Sequence, residues 1–149
     1  MTALNADYAR CIDDDRLEDW PDLFLEHCLY KITSADNHRA GLDAGIIYAD
    51  SKGMLQDRVS ALRVANVYER QRYRHIVGAA SILAQEGAVL KCESAFLVTR
   101  IMRGGRMDLF ATGRYLDRIA PDAAGALKFA ERIVVCDSAR FDTLLAIPL

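Results

Sequence analysis

From Tyr73 onward the apolar residues stop recurring every three or four positions and begin to alternate, and this switch constrains the fold more than any other feature of the sequence. Four extended segments are expected, at Tyr73–Leu83, Ala88–Met102, Arg106–Ile119 and Leu127–Cys136, each rich in the branched and aromatic residues that suit a pleated surface. Gly104-Gly105 is the strongest hairpin signal in the chain, and Pro121 to Gly125 makes the following turn. Successive strands joined this closely form one antiparallel sheet, which strand twist makes curved. Phe141 to Leu149 is expected to add a last short strand before Pro148.

If Gly104-Gly105 is a two-residue loop, Phe96, Val98 and Met102 share a face with Met107, Leu109, Ala111 and Tyr115. Leu97, Ile101, Phe110 and Leu116 then lie on the other. Both faces of this hairpin are largely apolar, yet the chain's own helices can cover only one, so a partner is expected on part of the second.

The first half reads as helix with short strands. Leu4, Tyr8, Cys11 and Ile12 make the stripe of an amphipathic helix from Thr2 to about Asp14, with Thr2 as its cap. Asp15 and Glu18 resemble a capping box for a second short helix, which Pro21 limits. Cys28–Thr33 and Asp43–Ala49 read as strands separated by the polar loop SADNHRAGL. Asp50 or Ser51 then caps a third helix that turns Leu55, Val59 and Leu62 to one side. Helices first and a long-stranded sheet afterwards describe an α+β fold, expected here as one domain over residues 1–149.

Composition excludes several function classes. Nineteen basic against twenty-one acidic side chains give a net charge of −2, which supplies no general attraction to nucleic acid or anionic lipid. No apolar run has the length of a membrane span and MTALNADYAR does not read as a signal peptide, so a cytoplasmic location is expected. Cys11, Cys28, Cys92 and Cys136 have no metal-site spacing, and His27, His38 and His75 form no HExxH or paired-histidine motif. No metal or cofactor site is therefore expected in this chain. Nucleotide-binding glycine loops and the G-x-S-x-G turn are also missing.

Charged residues that could meet a partner are more numerous. YERQRYRH, Tyr68 to His75, interleaves Arg70, Arg72 and Arg74 with Tyr68, Tyr73 and His75. It suits a solvated connection, a contact with carboxylates on another subunit, or base stacking, to which the overall charge lends nothing. Arg58 and Arg63 lie on the third helix. Arg100, between Val98 and Met102, must reach solvent or a carboxylate, because an unpaired buried guanidinium is costly. Arg114, Asp117, Arg132 and Asp137 are spaced along neighbouring strands for cross-strand ion pairs, which are worth little where exposed. An enzyme would need an acid or base inside the fold, and Asp14, Tyr30, Asp50 and His75 are the available kinds, though no spacing identifies a pair.

The run YADSKGMLQDRVSALRVANVYERQRYRHIVG, from Tyr48 to Gly78, resembles the small β subunits of aromatic-ring-hydroxylating Rieske non-haem iron dioxygenases. FLVTRIM, LFATGRYLDRI, ERIVVCDS, the terminal LLAIPL and DDDRLEDWPDLF agree with it, in order, over nearly the whole chain. Within that family it looks most like the subunits of oxygenases for aromatic carboxylates, terephthalate foremost, with salicylate and anthranilate systems behind. The resemblance implies a nuclear transport factor 2-like (cystatin-like) cone that has no catalytic residue of its own. It also implies an α3β3 assembly with a large α subunit that holds the [2Fe–2S] Rieske cluster and mononuclear Fe(II), supplied with electrons from NAD(P)H by a separate reductase. Arg58, Arg63, Arg70, Arg72, Arg74, His75, Arg100 and Tyr115 are the candidate subunit contacts. The fold class also hosts free-standing isomerases and dehydratases, and a binding domain for an unrelated protein is a third reading.

Overall fold

A computed structural model describes residues 1–43, 45–65, 71–138, 140–141 and 145–149. Its first helix, α1 (Thr2–Asp13), buries Leu4, Asn5, Tyr8, Cys11 and Ile12, the stripe expected from the sequence. Met1, not Thr2, occupies the cap position, without a side-chain hydrogen bond. The capping box does not form either: Asp15 adopts a left-handed φ of 57°, and only a 3₁₀ turn, Trp20–Leu23 with Pro21 in its first positions, follows.

Strand β1 (Phe24–Ser34) is longer than expected, and the supposed loop after it holds a short helix, α2 (Ala35–Arg39), capped where Asn37 N–H donates to Ser34 Oγ. Strand β2 is only Ile47–Ala49. Helix α3 (Lys52–Ala65) begins as expected, with Met54 N–H donating to Ser51 Oγ, and it buries Leu55 and Val59. The segment from Tyr73 to Leu83 divides into β3 (Gln71–Val77) and β4 (Ser81–Glu86), which line up along one edge of β5 (Val89–Met102). Strands β6 (Met107–Pro121) and β7 (Leu127–Cys136) complete a seven-stranded sheet in the order β2-β1-β7-β6-β5-β3, with β4 also on β5. All pairings are antiparallel except β1 with β7, a parallel contact not foreseen from the sequence. Such a pairing joins strands at opposite ends of the chain, so no hairpin signal announces it. The terminal segment forms no strand within 145–149; it packs its Leu145, Ile147 and Leu149 into the core.

The β5–β6 turn explains the largest correction. Gly105, at φ 86°, donates its N–H to Met102 O, and Met102 N–H donates to Arg106 O, so three residues form the loop. Arg100 therefore pairs with Asp108 and Thr99 with Leu109, one position away from the two-residue register. Phe110 is then bulged out of the ladder, and Val98 pairs with Ala111 as first expected. The turn and the bulge cancel. Phe96, Val98, Ala111 and Tyr115 keep the inner face, Met107 and Leu109 move outside, and Phe110 packs against the core.

Candidate functional site

The concave face of the sheet, closed by α1 and α3, is where a cone-shaped fold would hold a ligand. Here side chains fill it. Trp20, Tyr8, Tyr30, Tyr115, Phe129 and Arg132 are all fully buried there. Arg132 reaches the inner face because a bulge between Phe129 and Glu131 puts Phe129 and Arg132 on the same side of β7. Its guanidinium lies over three rings, with Cζ 4.2 Å from the Tyr8 centroid, 4.1 Å from Tyr115 and 3.9 Å from Phe129. Asp117 accepts from Nε at 2.8 Å and from Nη2 at 2.7 Å, and Asn5 Oδ1 also accepts from Nη2. Burial works against the arginine's charge, but Asp117 more than offsets it and holds the guanidinium protonated.

Asp117 and Arg132 do form a cross-strand ion pair, but a buried one that makes the polar centre of the core. Arg114 lies 3.9 Å from Glu93 instead, and Asp137 accepts from Thr112 Oγ1 at 2.8 Å. Bulges moved the inside–outside alternation, and neither bulge has a sequence signature.

His75 finds an acid the sequence reading passed over. Its Nδ1 is 2.6 Å from Asp13 Oδ1, and its main-chain N–H donates to Asp13 Oδ2 at 2.9 Å, tying β3 to the end of α1. The two side chains are 0% and 3% exposed, although Asp13 borders the larger cleft described below and His75 borders a smaller one of ≈ 230 Å³ with Thr2, Asn5 and Ala9. Asp14 and Asp50 are exposed, and Tyr30 lies in the core.

The other candidates divide by what they touch. Arg58 Nη2 donates to the main-chain oxygens of Leu145 and Ala146, at 2.9 and 3.1 Å. Arg63 pairs with Asp15 at 2.8 Å and Glu18 at 2.6 Å, and so pulls the Glu18 carboxyl down to about 2. Arg100 is buried, 4.5 Å from the Phe110 ring centroid and 3.4 Å from Asp108. Tyr115 is buried and stacks on Phe96 at 4.5 Å. Arg70, with Tyr68, lies outside the described residues. Arg72 and Arg74 are exposed and point outward from β3, although Arg74 also comes within 3.6 Å of Asp13.

Those two arginines share the outer face with apolar side chains. Across the sheet, Arg72 aligns with Ile101 and Met107, Arg74 with Thr99 and Leu109, and Ile76 with Leu97. Ile76 on β3 and Met107 and Leu109 on β6, all on this one face, are 63%, 70% and 65% exposed. A cleft of ≈ 750 Å³ opens nearby between the ends of α1 and α3 and the start of β3, lined by Asp13, Asp14, Asp15, Arg63, Arg72 and Arg74 among others. Several of these charges are already paired with one another. Among the described residues no group of three or more His, Cys, Asp or Glu is placed to hold a metal ion, and no helix is long and apolar enough to cross a membrane.

Residues 7–143 match the family model for the ring hydroxylating beta subunit. The chain is 49% identical over 149 residues to the terephthalate 1,2-dioxygenase terminal oxygenase component subunit beta 1 of a Comamonas species, covering 100% of this chain and 96% of that one. It is 37% identical over 142 residues to the anthranilate 1,2-dioxygenase small subunit of Burkholderia cepacia, covering 95% and 88%. A crystal structure assigned as the beta subunit of an aromatic-ring-hydroxylating dioxygenase from Novosphingobium aromaticivorans superposes with a TM-score of 0.90 at 40% identity, covering 99% of this chain and 94% of that one. Naphthalene 1,2-dioxygenase shares the fold at a TM-score of 0.76 and 19% identity, covering 99% of this chain and 83% of that one. The chain has the nuclear transport factor 2-like fold, belongs to the ring-hydroxylating beta subunit family, and is a small subunit of an aromatic-ring-hydroxylating dioxygenase.

Proposed function

We propose that this subunit acts from its outer surface: it holds large catalytic subunits in register and performs no redox step itself. The observation that carries this reading is the contrast between a cone interior filled by Arg132 and its aromatic neighbours and an outward sheet face that leaves Ile76, Met107 and Leu109 in water. A partner covering that face would bury apolar area, and Arg72 and Arg74 would offer its carboxylates fixed partners. The competing isomerase or dehydratase reading needs an acid–base pair open to substrate, and the side chains of His75 and Asp13 are 0% and 3% exposed.

In the assembly proposed here, α3β3 and cytoplasmic, the large subunit carries the Rieske [2Fe–2S] cluster and the mononuclear Fe(II). A separate reductase passes electrons from NAD(P)H. The relatives named for terephthalate and anthranilate support an aromatic carboxylate as substrate, terephthalate first. Co-producing the chain with its large subunit and reductase, then following oxygen uptake with terephthalate, anthranilate and salicylate, tests this. Turnover fastest with terephthalate is expected. Turnover confined to rings without a carboxylate would overturn the substrate assignment.

A further inference from the structure

Pairing with Asp13 uses only one of the two ring nitrogens of His75. The nitrogens of an imidazole point apart, so with Nδ1 2.6 Å from Asp13 Oδ1, Nε2 faces away from that carboxylate. Nε2 is buried and pairs with no group of the described residues, and a buried polar atom left in this way costs stability unless something else supplies a partner. His75 also lines the ≈ 230 Å³ pocket between α1 and the end of β3. The unpaired nitrogen and the pocket therefore meet at one side chain.

The rest of that pocket is narrow and mostly apolar. Ala6 and Ala9 line it from α1, and Val77 and Ala80 line it at and beyond the end of β3. Of its other polar residues, Thr2 is exposed, and the buried Asn5 has its amide committed to Ser94 and Arg132. An apolar cavity of about 150 Å³ is enough for a benzene ring, so a single ring fits here. Its polar tip has to suit Nε2. A hydroxyl both donates and accepts, and so pairs with Nε2 in either tautomer. A carboxylate suits it less, because Asp13 already sets one against the same imidazole in a poorly hydrated place.

We propose that this pocket is a binding site for a small neutral phenol, held by a hydrogen bond between its hydroxyl and His75 Nε2. The His75 side chain has no accessible surface, so the hydroxyl reaches it as the first turn of α1, which has no side-chain cap, swings outward. The inference concerns binding alone and is independent of the assembly proposed above.

The test titrates phenol, toluene and benzoate into the full chain while the His75 ring nitrogens are followed by NMR. Phenol should shift the Nε2 resonance saturably and bind about tenfold tighter than toluene, which replaces the hydroxyl by a methyl group. Benzoate should bind more weakly than phenol. Ala9→Leu fills the pocket with a strong helix former, and should abolish the phenol shift while leaving the far-UV signal unchanged. His75→Asn keeps an amide for Asp13 but has no Nε2, and by calorimetry it should bind phenol no better than toluene; if it does not fold, Ala9→Leu decides. The proposal is overturned if phenol leaves the Nε2 resonance in place up to its solubility limit. It is equally overturned if toluene or benzoate binds as tightly as phenol, or if Ala9→Leu binds phenol as well as wild type.

Discussion

The two faces of the sheet treat charge and apolar surface in opposite ways. Inside, a guanidinium is enclosed by three rings and held by a carboxylate that is itself buried. Outside, Ile76, Met107 and Leu109 stand in water beside Arg72 and Arg74. An enzyme on this scaffold would show the reverse, with an open polar interior and a plain polar exterior. In this protein the interior supports the fold, and the exterior leaves apolar surface uncovered.

Breaking the interior should have the largest effect. Asp117→Ala strands a buried arginine and should cost about 3–5 kcal/mol, read as a lower denaturant midpoint. Gly113→Ala comes next: a Cβ there would lie 2.0 Å from the main-chain oxygen of Val135, and separating β6 from β7 should cost about 1–3 kcal/mol or more. On the outside, Ile76→Asp and Leu109→Asp should leave the isolated chain within about 0.5 kcal/mol of wild type. The same changes should weaken association with the large subunit about tenfold or more, as measured by analytical ultracentrifugation of the mixed proteins.

The smallest effect lies at the surface ion cluster. Arg63 lowers the Glu18 carboxyl from 4.5 to about 2, so the contact stabilises the fold above pH 4.5 and its contribution is lost as pH falls toward 2. In Arg63→Ala the Glu18 carboxyl resonance, followed by NMR, should titrate at higher pH than in wild type, while the main-chain hydrogen bond that also lowers it remains. Because both side chains meet solvent, the change in stability should be slight and should shrink further in salt.

The helices with clear apolar stripes, the long strands and the glycine hairpin were legible in the sequence because each rests on local periodicity. The family was legible too, from ordered blocks such as those running from Tyr48 to Gly78. What escaped was set by non-local geometry. The bulge at Phe110 moved Met107 and Leu109 outward, and the bulge at Ala130 put Arg132 on the same side as Phe129, inside the core. Asp13 was hidden among three consecutive aspartates; only the packing of α1 on β3 selects it as the partner of His75. The signal that could have drawn attention to Arg132 is its setting between Phe129 and Val134, where an exposed arginine has little reason to be.

The most direct test of the central claim is native mass spectrometry with iron analysis on the chain co-produced with its large subunit, as wild type and as the Ile76→Asp, Leu109→Asp double variant. The account predicts an iron-containing mixed oligomer for wild type, and for the variant a folded, iron-free small subunit that separates from it. A wild-type chain that ignores the large subunit, or a double variant that assembles as well as wild type, would contradict it.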